Sequence, residues 1–123
     1  MKAELVFGWR TAVLALAAAQ MVALAIALSR VLANRLANRC LAALLIVMVG
    51  LLMPDLIGFA GFYDAFPWLS FAPLGISLAV GPLLYCHVHA LTQERLPCHL
   101  LWHLGPAIAQ FTFLPSVFVC RWR

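Results

Sequence analysis

Residues 68–86 run for 19 positions without a charged side chain, and residues 11–28 do so for 18. About 20 predominantly apolar residues carry a helix across the hydrocarbon core of a bilayer. Two further apolar runs, 40–63 and 100–120, have the same order of length. Inside a bilayer no water serves the backbone, so each segment must satisfy its own N–H and C=O groups, which a helix does. The expected fold is therefore all-α: an integral membrane helical bundle of about four transmembrane helices. These cover about 11–28, 40–63, 68–90 and 100–120 within a single membrane domain, residues 1–123.

Composition excludes the soluble alternative. Apolar residues make up 66% of the 123 positions and charged residues 10%, with mean hydropathy +1.03. Soluble domains sit nearer 45–50% and about 25%. A chain this short cannot hide the excess in one core, so it must face lipid or other helices. The net charge of +4 comes from eight basic and four acidic residues. In such a chain it reflects loop arginines that fix orientation rather than a nucleic-acid surface. Cys40, Cys86, Cys98 and Cys120 form no C-x-x-C pair and read as small apolar residues.

Trp9 and Arg10 suit a membrane interface, where the ring lies at headgroup level and the arginine snorkels. In the first run Ala15, Ala19, Ala23 and Ala27 fall four apart on one helical face. A small-residue face lets a second helix approach closely, giving a candidate homodimer through helix 1. The plainer reading is that an alanine-rich helix has alanines on every face. A cleaved signal peptide ending at Ala25-Ile26-Ala27 is a rival, opposed by the arginines that follow.

Residues 30–39 write Leu-Ala-Asn-Arg twice. Arg30, Arg35 and Arg39 are the lipid and topology anchors. Arg35 and Arg39 share a face and either contact anionic lipid or simply hold this side in the cytoplasm.

In the second run, twelve Leu, Ile, Val and Phe residues, at about −0.3 to −0.6 kcal/mol each, outweigh one Asp at about +2.5 to +3.5. Pro54 frees the carbonyl of Gly50 from its helical partner. Asp55 is thus the carboxylate placed within the membrane or at its outer interface, and a functional candidate.

The third run carries two proline–glycine breaks, Pro73/Gly75 and Gly81/Pro82, expected as packing bends or a ligand cavity. The basic link 30–39 and the loop 93–99 go to the cytoplasm and both termini outside. Lys2, Arg10, Arg121 and Arg123 argue the opposite way.

No enzyme chemistry is legible. Glu4, Asp55, Asp64 and Glu94 are scattered, and there is no phosphate loop, nucleophile elbow or carboxylate pair. Cys86, His87, His89, Cys98, His99 and His103 cluster along the chain, but His87 and His89 point to different sides of a helix. No metal and no cofactor is expected.

Gly81-Pro82-Leu83-Leu84-Tyr85, followed by Val88 and Leu91-Thr92, resembles a signature in the membrane-spanning N-terminal domains of AraC-type transcriptional regulators, G-P-L-L-Y-x-Y-V-x-x-L-T. Asn38-Arg39 leading to Asp55 precedes it, and His103-x-x-Pro106 opens the next run. The resemblance spans roughly residues 30–115. It implies a multi-helix membrane domain of the inner (cytoplasmic) membrane, a sensor of a signal ligand, joined to a cytoplasmic region of two helix-turn-helix units. His87 stands where the signature has a second aromatic.

No helix-turn-helix pattern or basic recognition helix occurs in this sequence. The expectation is therefore a truncated regulator, its DNA contact belonging to a C-terminal domain not in this chain. Asp55, Tyr85 and His103 are the candidate intramembrane polar contacts. The alternative is a stand-alone small polytopic membrane protein, transporter-like or an assembly partner. A small multidrug-resistance type of transporter would carry a glutamate in its first helix, where this chain has Gln20 at most.

Overall fold

The computed structural model describes residues 7–66 and 76–121. Among them there is no strand, and five α-helices appear: α1 Trp9–Arg30, α2 Arg35–Phe59, α3 Phe62–Ala65, α4 Val80–Gln93 and α5 Leu100–Arg121. A 3-10 turn, Ser77–Ala79, leads into α4.

The helix ends follow local chemistry. α1 starts after Gly8, which is extended, and stops at Arg30, whose charge complements the negative end of the helix. α2 starts at Arg35, not at Cys40, because Asn34 takes the left-handed conformation at φ 47°, one that asparagine tolerates better than most residues. The repeated Leu-Ala-Asn-Arg thus has two uses. Asn34 makes the corner, and Asn38 donates from Nδ2 back to the Ala33 carbonyl at 2.8 Å. α2 continues through Pro54 and ends at Phe59; Gly61, at φ 76°, then turns the chain into α3.

The third apolar run differs most from expectation. Ile76 is not helical, and the helix proper starts at Val80, so no single helix covers 68–90. Pro82 explains the position. It is the third residue of α4, where a helix has no internal partner for an N–H, so the missing donor costs nothing. The Pro73/Gly75 break and the expected start of this helix lie outside the described residues.

α2 is the centre. α1 packs along one side of it and α4 along another, both antiparallel. The pairing of ends is fixed at two places: Arg10 of α1 lies over Phe59 of α2, and His87 of α4 bonds the Ala37 carbonyl of α2. The seams are made of small side chains. Thr11, Ala18 and Ala25, spaced seven apart, are buried on α1; Ala37 and Ala42 on α2; Cys86 and Ala90 on α4. Such residues bring helix backbones close together. The face that α1 buries is not the Ala15/Ala19/Ala23/Ala27 face, which is exposed throughout.

Large apolar side chains point outward instead, among them Leu16, Ile46, Leu84, Trp102 and Phe113. The chain exposes 8724 Å², about a third more than the roughly 6,500 Å² of a compact soluble protein of its mass. Trp9–Arg30 and Arg35–Phe59 are long and apolar enough to cross a membrane, with only 17% and 11% of their apolar windows buried. A soluble core helix is mostly buried, so the low values favour lipid as the surroundings.

Candidate functional site

The three polar residues singled out by sequence fall into two places. Tyr85 and His103 meet: their rings lie 5.2 Å apart, tilted by 52°. His89, one turn after Tyr85 on α4, joins them with its ring 5.9 Å from the phenol ring. Asp55 stands apart, in a cleft bounded by α2 and α3.

The Tyr85 cluster is positioned by the loop after α4. Glu94 adopts a left-handed conformation at φ 52° and its N–H bonds the Ala90 carbonyl, closing the helix. His89 Nδ1 donates to the Arg95 carbonyl at 2.9 Å, which ties the ring to the loop. A carbonyl can only accept, so Nδ1 carries the proton. Leu100 then starts α5, and His103, one turn in, comes level with Tyr85. Tyr85 and His103 are both exposed on the outer surface of the helices.

His87 does something else. It points inward, and its Nδ1–H donates to the Ala37 carbonyl at 2.8 Å. The residue that departs from the signature is therefore the polar link between α4 and α2. Gln110 links α5 to the start of α4: its Oε1 accepts from the Leu78 N–H at 3.2 Å and its Nε2 donates to Ser77 Oγ at 3.4 Å. Sequence reasoning missed both roles. The available signal was a hydrogen-bonding side chain inside an otherwise apolar helix.

The Asp55 cleft has a volume of about 340 Å³ and is lined by Pro54, Asp55, Gly58, Phe59 and Tyr63. Gly58 lets the Tyr63 ring lie close against α2: a Cβ there would come within 3.3 Å of it. Arg10 reaches across from α1, its guanidinium 5.9 Å from the Phe59 ring centre and 5.7 Å from that of Trp9. A second cleft, of about 270 Å³, lies at the opposite end of α2, between Asn34, Arg35, Leu36 and Ala37 and the end of α4 at Ala90 and Glu94. The 30–39 link and the loop after α4 thus share one end of the molecule.

Signature residues Gly81, Pro82, Leu83, Leu84 and Tyr85 make up the first turns of α4. Among the described residues no three His, Cys, Asp or Glu side chains converge as a metal site would need. No protein-family model, curated protein or solved structure matches this chain.

Proposed function

We propose that the chain is the membrane-embedded, signal-sensing N-terminal portion of an AraC-type DNA-binding transcriptional regulator, held in the inner membrane by about four crossings. One observation carries the reading: three motifs stand in the order the resemblance requires, Asn38-Arg39 before Asp55, then Gly81 to Tyr85, then His103-x-x-Pro106. The geometry adds support at two points. Gly81-Pro82 stands where a helix starts, a position at which a proline without its N–H has a structural use. Tyr85, which ends the signature, touches His103, which opens the next motif, across 18 positions of sequence.

Helix lengths support the membrane setting. α2, with 25 residues, is about 37 Å long against a core of about 30 Å. Asp55 lies four residues before its end and Arg39 four after its start, about 24 Å apart along the axis, so each side chain extends the last few ångströms outward to the headgroup zone. Arg30, Arg35 and Arg39 anchor one end, on the cytoplasmic side by the positive-inside rule. A homodimer through α1 would use the exposed Ala15, Ala19, Ala23 and Ala27. DNA contact belongs to helix-turn-helix units encoded beyond residue 123.

The test is to read the genomic DNA past codon 123 in all three frames. The expected result is a continuation, in frame or shifted, with further apolar helices and then a basic double helix-turn-helix region. A stop followed by unrelated sequence would overturn the reading. The Asp55 cleft then favours a stand-alone, transporter-like membrane protein, checked by whether substrate uptake by reconstituted protein is lost on Asp55→Asn.

A further inference from the structure

The Asp55 cleft combines a carboxylate with two aromatic walls, Phe59 and Tyr63, in a space of about 340 Å³. A carboxylate beside ring faces is complementary to an organic cation. The carboxylate supplies the opposite charge, and each ring face attracts a cation held within about 6 Å of its centre. The structure already displays this use of one wall, because the Arg10 guanidinium sits 5.9 Å from the Phe59 centre. Arg10 does not line the cleft itself; it reaches the Phe59 ring from α1.

We infer that this cleft binds an organic ammonium cation, paired with Asp55 and seated against Phe59 and Tyr63, in competition with Arg10. The competition gives the ligand a consequence. Arg10 belongs to the first turn of α1 and Phe59 to the last turn of α2. A bound cation repels the guanidinium that shares the Phe59 ring, so the start of α1 is released from the end of α2. As a signal for transcription this ligand rests on the sensor reading above. As a binding event it does not, and its test needs no DNA-binding region.

The experiment is a ligand-observed NMR titration of the full chain in maltoside micelles. Choline is the probe and its uncharged carbon isostere, 3,3-dimethylbutan-1-ol, the control. Choline is expected to bind at least tenfold more tightly than the isostere. Asp55→Asn should weaken choline at least tenfold, Asp55→Glu should retain most of the affinity, and Arg10→Gln should tighten it several-fold. The opposite signs at Asp55 and Arg10 separate a binding role from a fold defect, which would weaken both. Equal binding of the isostere, no change on Asp55→Asn, or weaker binding on Arg10→Gln would each overturn the proposal. The titration is repeated in phosphatidylglycerol nanodiscs with and without phosphatidylethanolamine. Suppression by the amine lipid assigns the site to an ammonium headgroup, and persistence assigns it to a soluble cation. Failure here leaves the downstream-DNA test of the regulator untouched, and the converse also holds.

Discussion

At the scale of single residues, the polar side chains have distinct tasks although they look alike in sequence. His87, His89 and His103 are all imidazoles near one end of the chain, yet His87 faces α2, His89 is tied to a loop carbonyl, and His103 meets Tyr85. His87→Phe introduces the kind of aromatic that the resembled signature has at this position. It also removes the link to Ala37, and a net hydrogen bond contributes about 1 kcal/mol. The expected outcome is a loss of about that size in unfolding free energy, measured by denaturant titration in mixed micelles, with helix content unchanged. A gain in stability would mean that the ring packing outweighs the bond. The three-way division was not legible beforehand, because spacing along a helix says which residues share a face but not what that face meets.

The elements were more legible than their partners. The apolar runs placed α1 and α5 to within two positions and α2 less closely, because the alternative for such runs is exposure to water. The start of α2 was misjudged by five residues, since Arg35 and Arg39 were read as link when arginine is a good helix former. The third run was misread because Pro82 was taken as a bend inside a helix when it stands in the first turn of one. The face of α1 was equally opaque: alanine recurs on every side, so periodicity alone does not select Thr11, Ala18 and Ala25.

A pair of substitutions checks that face. Ala18→Leu overpacks a seam in which Ala18 is 6% exposed and should cost about 1–3 kcal/mol. Ala19→Leu, one position on and exposed, should leave stability within about 0.5 kcal/mol. Equal costs would place α1 in a different rotation. Gln110→Leu removes the acceptor of the Leu78 N–H, and amide exchange at Leu78 should accelerate while exchange in the middle of α2 is unchanged.

For the whole molecule, the arrangement of ends sets the topology. The corner at Asn34 and the loop containing Cys98 lie at one end of α2, and the turn at Asp64 lies at the other. With the four native cysteines replaced, Asn34→Cys and a restored Cys98 should label from the same side of sealed vesicles with an impermeant maleimide. Asp64→Cys should label only from the opposite side. Labelling of positions 34 and 98 from different sides would exclude the antiparallel arrangement of α2 and α4 in the bilayer. The all-helical class was legible from composition, because in apolar segments with so few polar side chains a helix serves every backbone N–H and C=O from within itself. The pairing of α2 with both α1 and α4 was not, since small residues mark where helices can approach and say nothing of which helices do.

α5 differs from the other long helices in how it is held. Ala107 alone is buried among its described residues, and its described ties are the ring contact at His103 and the amide bonds of Gln110, plus limited packing on α4 and the turn before it. Elements with few buried contacts open at the lowest free energy. The molecule therefore has an order in time as well as in space. In deuterated buffer the amides of α5 exchange first and those of the α1–α2 seam last. A chain emerging from synthesis settles in the reverse sequence, α1 against α2, then α4, with α5 the last to come to rest.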